Sequence, residues 1–300
     1  MTVEDPRFER VSGCERLWML SLTWNRLPLR LFLIHYPLES AADAWILVDV
    51  GAAEHSHTLH AALEHAYKTW MQGGFLTHII ITHGHVDHVG GLATFYDRCM
   101  NYVDKQDDKS QRRPQYISPQ KQQLPELIVH DDEYDFIFKQ SHTTLASAST
   151  NRFFRAVVEL RMFQDVSTEE RRRLDDMNIP CLRISSLPDS VMCNAPDGML
   201  NDAIQILHTP GHTPGHISIY VQKDQVLLAG DALLYVKLCP FTRVTLWADF
   251  PLSSYDRPLA RASIQLTLSW LREHGCQFIL PSHDSSAPGT LTLDVVSHQM

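Results

Sequence analysis

Thr82-His83-Gly84-His85-Val86-Asp87-His88-Val89-Gly90-Gly91 follows directly on the apolar run Ile79-Ile80-Ile81. Four metal-binding side chains thus fall within six positions at the end of what reads as a buried strand. Packing selects none of these groups, because each brings polar atoms that have to be satisfied. Neutral imidazoles and carboxylates suit a divalent zinc ion, and a catalytic zinc needs several of them converging while one position stays open for water or substrate.

Three later segments share this pattern. His212 lies in His208-Thr209-Pro210-Gly211-His212-Thr213-Pro214-Gly215-His216, Asp231 in Ala229-Gly230-Asp231-Ala232, and His283 in Pro281-Ser282-His283-Asp284. Each follows a short apolar run, over 203–207, 225–228 and 277–280 respectively. Several strand ends therefore point at one place. His208 and His216 flank a candidate ligand; His208 reads as support for the loop backbone and His216 as packing at the start of the next strand.

With these residues in place, the chain resembles the metallo-β-lactamase superfamily over nearly its whole length, from Asp49 to His283. The resemblance implies an α/β fold, a four-layer αβ/βα sandwich of two mixed sheets with helices outside and metals in a cleft at one edge. It implies that His83, His85 and His212 bind one cation, that Asp87, His88 and His283 bind the other, and that Asp231 bridges both. Asp49, in Ile46-Leu47-Val48-Asp49-Val50-Gly51, matches the family's early aspartate, which supports the ligand loop from behind. Two divalent ions, zinc foremost, lower the pKa of a shared water, so that hydroxide rather than a side chain is the nucleophile. Asp87 or Asp231 could relay the proton to the leaving group. Tyr235, four residues past Asp231, is a further candidate donor to substrate oxygen; the related acyl-homoserine lactonases carry a tyrosine one residue nearer.

Departures narrow the branch. An aspartate stands at 231 where the drug-inactivating lactamases commonly have cysteine, and His88 fills a position they lack. Only 17 residues follow His283, too few for the helical domain of glyoxalase II enzymes, and all seven ligand positions are filled, unlike those of the mononuclear iron dioxygenases of the same fold. The local echoes, Thr209 to Ser218, Ser282-His283-Asp284 and Leu127-Ile128-Val129 followed by Glu133-Tyr134, are similar to the acyl-homoserine lactonases and to fungal enzymes that open lactone or γ-lactam rings. The expected reaction is opening of a cyclic ester or amide of a small metabolite, with a polyketide-type acyl thioester as the alternative substrate and iron dioxygenase chemistry behind both.

Composition bounds the rest. With 300 residues and 44% hydrophobic content there is material for a large core, and the expectation is one domain over 1–300, with a polar surface insertion at 104–123 and a helical, lid-like segment at 131–180. Net charge is −9, a field that repels nucleic acid and anionic membranes and favours a small-molecule substrate. The six cysteines are scattered, without a close pair, as in a reduced protein. No apolar stretch reaches the length of a membrane span; residues 16–36 are interrupted by Arg26, Pro28 and Arg30 and read as a hairpin. The opening residues lack the order of a secretory signal, so the expected location is the cytoplasm. Arg171-Arg172-Arg173 sits among Glu169, Glu170, Asp175 and Asp176 and reads as a solvated helix opened by a capping Ser167.

Overall fold

The computed structural model describes residues 6–37, 43–71, 73–104, 114–118, 124–138, 166–194, 203–236, 244–250, 253–286 and 291–300. One sheet runs in chain order through β1 (Glu9–Arg10), β2 (Leu17–Trp24), β3 (Leu27–Tyr36), β4 (Ala44–Val48), β5 (Phe75–Ile80), β6 (Glu126–His130), β7 (Cys181–Ser186) and β8 (Cys193–Asn194). Its first four strands are antiparallel, β4 through β7 are parallel, and β8 turns back. The second sheet contains β9 (Ile204–His208), β10 (Ile217–Val221), β11 (Val226–Gly230) and β14 (Phe278–Pro281), in the order β14-β11-β10-β9. A two-stranded ribbon pairs β12 (Leu234–Val236) with β13 (Thr245–Trp247).

Alternation along the strands creates the layers. Ile34, Ile46, Ile80 and Ile128 of the first sheet meet Ile206, Ile219, Leu228 and Leu280 of the second in one apolar cluster between the sheets. Their neighbours Leu33, Leu47, Ile79 and Leu127 face the other way, onto the helices Ser56–Thr69 and Leu92–Asp104. On the far side, Leu207, Leu227 and Ile279 pack with Ile264, Leu268 and Leu271 of the helix Arg257–Glu273. Strands covered on both faces read as near-continuous apolar runs, and β4, β10 and β11 are buried along their whole length. The result is a helix, sheet, sheet, helix sandwich. No helix among the described residues is long and apolar enough to cross a membrane.

The 16–36 hairpin closes through a two-residue turn at Asn25 and Arg26, both with positive φ, between paired Trp24 and Leu27. Such mirror-image turns match the twist of the flanking strands. Ser167 caps the helix Thr168–Asp176 by accepting from the Glu170 amide at 3.1 Å. Two of its arginines depart from the expected solvated face: Arg171 is buried and donates to the Val166 carbonyl, and Arg173 pairs with Asp97 and Glu170, while Arg172 is exposed beside Glu169.

Two expected segments lie partly outside the described residues. Of the 104–123 insertion, Asp104, the last residue of the helix Leu92–Asp104, and residues 114–118 are described, and in the latter Tyr116 and Ile117 are buried. An aromatic and an aliphatic side chain anchor that piece under the first sheet's helices, which a polar average over the window conceals. Of the 131–180 segment, the helix Asp131–Phe138 and residues 166–180 are described.

Tyr116 bonds through its hydroxyl to His60 Nδ1, and the His60 ring stacks on Phe95 with centroids 5.1 Å apart. Burial pushes the His60 pKa down to about 3. The unfolded chain takes up this proton below its ordinary pKa near 6.5 and the folded chain does not, so stability falls as pH drops from 6.5 toward 3. Denaturant titrations should show His60→Gln losing about 1–2 kcal/mol less than the parent between pH 7 and pH 5; parallel losses in the two proteins would contradict this assignment.

Candidate metal centre

Every candidate ligand stands just beyond the carboxyl end of a strand. The 82–91 segment follows β5, Asp49 follows β4, His212 follows β9, Asp231 follows β11 and His283 follows β14. Because β4 through β6 are parallel, and β11 is parallel to β14 and antiparallel to the β10 that separates it from β9, these ends lie along shared edges of their sheets. The two sheets join there directly, where the Ile217 amide donates to the Thr82 carbonyl at 3.0 Å.

The seven side chains meet in a closed interior, none of them more than 5% exposed. His83 Nε2, His85 Nδ1 and His212 Nε2 form a triangle with sides of 3.0, 3.0 and 3.2 Å. A tetrahedral zinc with Zn–N bonds of about 2.0–2.1 Å sets its nitrogens about 3.3 Å apart, close to that spacing. Asp231 Oδ2 stands 3.4 Å from His212 Nε2 and 3.9 Å from His83 Nε2. The same oxygen is 3.5 Å from His283 Nε2, and Asp231 Oδ1 is 3.5 Å from His88 Nε2. Asp87 Oδ2 completes the second group, at 3.1 Å from His283 Nε2 and 3.8 Å from His88 Nε2. The structure therefore divides the residues into His83, His85, His212 and Asp231 on one side and Asp87, His88 and His283 on the other, with Asp231 facing both.

Hydrogen bonds on the outer side of these rings fix which nitrogen faces inward. Asp49 accepts from the Thr82 amide through Oδ1 and from the Thr82 hydroxyl through Oδ2, both at 2.8 Å. With its proton given to Asp49, the Thr82 hydroxyl accepts from His83 Nδ1 at 3.1 Å. His88 Nδ1 donates to Asp49 Oδ2 at 2.8 Å, and His283 Nδ1 donates to the Pro28 carbonyl at 2.7 Å. In all three rings Nε2 then presents a lone pair to the centre, the arrangement that outer partners impose on metal-binding histidines. Asp87 Oδ1, His88 Nε2, Asp231 Oδ1 and His283 Nε2 are buried without a hydrogen-bond partner. Orphaned acceptors of this kind fit a bound cation.

Electrostatics divide the site in the same way. Burial, reinforced by neighbouring imidazoles, holds His83 and His212 well below the ordinary histidine pKa, and burial brings His85 to about 4. These rings are neutral and available as ligands. His88 is different: burial works against its charge, but Asp231, Asp87 and Asp49 outweigh it and raise the pKa to about 10. Asp87 is held at about 2 by His88 and His283 against the opposing effect of burial, whereas burial pushes Asp231 upward. The second half of the site thus demands positive charge.

His208 and His216 stand outside both groups. His216 Nε2 accepts from the Asp231 amide at 3.0 Å, and its Nδ1 donates to Thr209, whose hydroxyl donates to Ser218, which donates to the Ala229 carbonyl. His208 Nε2 donates to the Pro214 carbonyl at 3.0 Å. Ser186 donates to His208 Nδ1 at 2.6 Å and accepts from His130 Nε2 at 3.1 Å, while His130 Nδ1 accepts from the Asp132 amide. His130, Asp132 and His208 carry metal-binding residue types close together. However, the two rings stack face to face, 4.2 Å apart and 8° from parallel, so no ion can lie in both ring planes, and all four nitrogens are committed. Tyr235 is half-buried and packs against the cluster over the helix Arg257–Glu273, across β12 from Leu234 and Val236.

Several supporting residues escaped the sequence reading. Ser253 Oγ lies 3.4 Å from His212 Nδ1, and the buried Arg30–Asp284 ion pair fixes the loop that carries His283. Glu133 bonds both ligand loops. The Glu133-Tyr134 pair belongs to the lactonase-like echo, but its role in joining the two loops is not readable there, because an acidic first turn shared with Asp131 and Asp132 reads as ordinary helix N-terminal charge.

Residues 196–265 match the model of the metallo-β-lactamase superfamily. The chain is 25% identical over 200 residues to a Bacillus subtilis (strain 168) protein named "Probable metallo-hydrolase YflN", an alignment covering 67% of this chain and 60% of that one. It is 36% identical over 62 residues to an N-acyl homoserine lactonase of a Bacillus species, covering 21% of this chain and 23% of the lactonase. The chain thus spans under two thirds of the length of either relative. Among solved structures, an N-acyl homoserine lactone hydrolase with the product N-hexanoyl-L-homoserine at its catalytic metal centre superposes with a TM-score of 0.51 at 19% identity, over 92% of this chain and 95% of that one. A metallo-β-lactamase from Erythrobacter litoralis superposes at 0.53 and 12% identity, over 99% of both chains. These structures share the fold.

Asp49 has φ of +61°, a conformation asparagine tolerates, so Asp49→Asn removes the charge without straining the backbone. Dialysis against a chelator followed by elemental analysis should show about ten- to hundredfold weaker metal retention than in the parent, with an unchanged far-UV spectrum. Parent-like retention would remove Asp49 from the site.

Proposed function

We propose that this chain is a metal-dependent hydrolase of the metallo-β-lactamase superfamily that holds two divalent cations, zinc foremost, and opens a cyclic ester or cyclic amide of a small-molecule metabolite. The observation that carries the proposal is the near-equilateral triangle of His83, His85 and His212 nitrogens with Asp231 set between it and Asp87, His88 and His283. The names of the YflN and lactonase relatives support the reaction class.

When bound, two such cations would acidify a shared water and polarise an acyl oxygen. His83, His85 and His212 would hold one of them, Asp87, His88 and His283 the other, and Asp231 would reach both. The chain's own contribution is to shield and orient these groups and to keep the rings of His83, His85 and His212 neutral. Asp87 is kept ionised by His88 and His283 and so can accept a proton from the nucleophile and pass it to the leaving group. Asp231, whose Oδ1 is likewise unpartnered, can serve in the same transfer. Phe136, packed edge-on against His85 with centroids 6.4 Å apart, supplies an apolar wall beside the ligands, as expected of a pocket that takes an uncharged ring. The net charge of −9 suits neutral or weakly charged substrates.

Metal quantification combined with a hydrolysis screen of lactones, cyclic amides and acyl thioesters tests the proposal. Two ions per chain and turnover of a lactone or lactam are expected, with activity abolished in His85→Ala and Asp231→Ala while far-UV circular dichroism persists. Turnover confined to thioesters would move the substrate class, and near-normal rates in either variant would remove the site.

Tyr235 as a donor to substrate oxygen is a separate question. Tyr235→Phe keeps the packed ring and removes only the hydroxyl. A drop in kcat of about tenfold or more at constant KM assigns the hydroxyl to the reaction, and an unchanged rate assigns the residue to packing.

A further inference from the structure

Glu133 lies in the first turn of the helix Asp131–Phe138 and is completely buried. Its Oε1 accepts from the Gly84 amide at 2.6 Å; its Oε2 accepts from the Thr213 hydroxyl at 2.7 Å and from the Gly215 amide at 3.0 Å. Gly84 lies between His83 and His85, and Thr213 and Gly215 follow His212. One carboxylate therefore engages the backbone of both loops that supply the imidazole triangle, although those loops leave different sheets.

The glycines make the approach possible. A Cβ on Gly215 would lie 2.4 Å from the Glu133 amide nitrogen, and a Cβ on Gly84 would lie 2.6 Å from the Phe136 ring and 3.0 Å from Glu133 Oε1. A carboxylate buried this deeply carries a large desolvation penalty, and burial pushes its pKa up to about 7 in spite of three donors. A glutamine could satisfy at most part of the set, since its amide NH₂ would confront an N–H or O–H donor.

We propose that Glu133 is a positioning residue: it locks the His83-His85 loop to the His212 loop, and thereby sets how tightly the His83, His85 and His212 half of the centre holds its cation. This inference rests on the reading of the site as a metal centre. Both Glu133 oxygens are engaged by the two loops, so the proposed effect is on affinity and geometry rather than on the reacting atoms.

The test uses the full chain loaded with zinc and titrated with a competing chelator. Glu133→Gln should weaken one of the two zinc sites by about ten- to hundredfold, the range for outer-shell partners of metal ligands, and leave the other within about threefold. Its hydrolytic rate should recover when zinc is raised, with KM unchanged. Thr213→Val, which deletes one of the three donors, should weaken the same site by a smaller factor. Tyr220→Phe removes a hydrogen bond to the His274 carbonyl, far from both loops, and should alter neither site; it controls for general loosening.

Unchanged zinc affinities in Glu133→Gln, or losses that fall equally on both sites or appear equally in Tyr220→Phe, overturn the inference. Should Glu133→Gln fail to fold, Thr213→Val decides: a selective loss supports the inference and none overturns it. If the parent protein itself binds no zinc or other divalent ion, the metal-centre reading fails and takes this inference with it. Two ions in the parent with no effect of Glu133→Gln sink Glu133 alone.

Discussion

Five imidazoles and two carboxylates, sealed from water where two sheets meet, cannot rest at neutral cost unless they share positive charge. Removing polar groups from water without partners carries a penalty of several kcal/mol each, and four of the inward-facing atoms have no partner in the protein. Two kinds of positive charge can satisfy them, protons or cations. The site splits along that line: one half is composed of imidazoles that reject protons, while in the other three aspartates drive His88 to accept one and two of them push His283 the same way. A pair of divalent ions meets both demands together, and this constraint explains the outward hydrogen bonds, the strand-end placement and the buried supports.

Hydrogen-bond direction is the device that prepares the site. Backbone carbonyls can only accept and backbone amides can only donate, so a chain of hydroxyls and imidazoles anchored on them has a single orientation. Asp49 orders Thr82, which orders His83. The Ala229 carbonyl orders Ser218, Thr209 and His216 in turn, and His216 then receives the Asp231 amide. His208 and His216 flank the same ligand yet use opposite tautomers, because one meets a carbonyl at Nε2 and the other an amide. Ligand rings fixed in this way lose little freedom when a cation arrives.

The layered fold and the convergence of the candidate ligand residues were legible because both depend on local patterns. Apolar runs mark strands covered on both faces, and histidines and aspartates clustered at their ends mark the edge where the candidate ligands collect. Asp49 was also readable, from its match to the early aspartate of the family that the chain resembles. What stayed hidden depends on contacts remote in sequence. Glu133 acts across 49 residues to Gly84 and 82 to Gly215, and Arg30 across 254 to Asp284; no periodicity encodes such pairs. Tyr116 was concealed by its polar surroundings, and its burial became visible only once His60 and Phe95 were placed around it.

X-ray absorption at the metal edge on the purified protein addresses the shared-cation account most directly. The account predicts two ions per chain, each with nitrogen and oxygen neighbours near 2.0–2.2 Å and a metal–metal vector of about 3.5–4 Å. A spectrum without that vector from protein carrying one ion per chain, or protein carrying none, would contradict it.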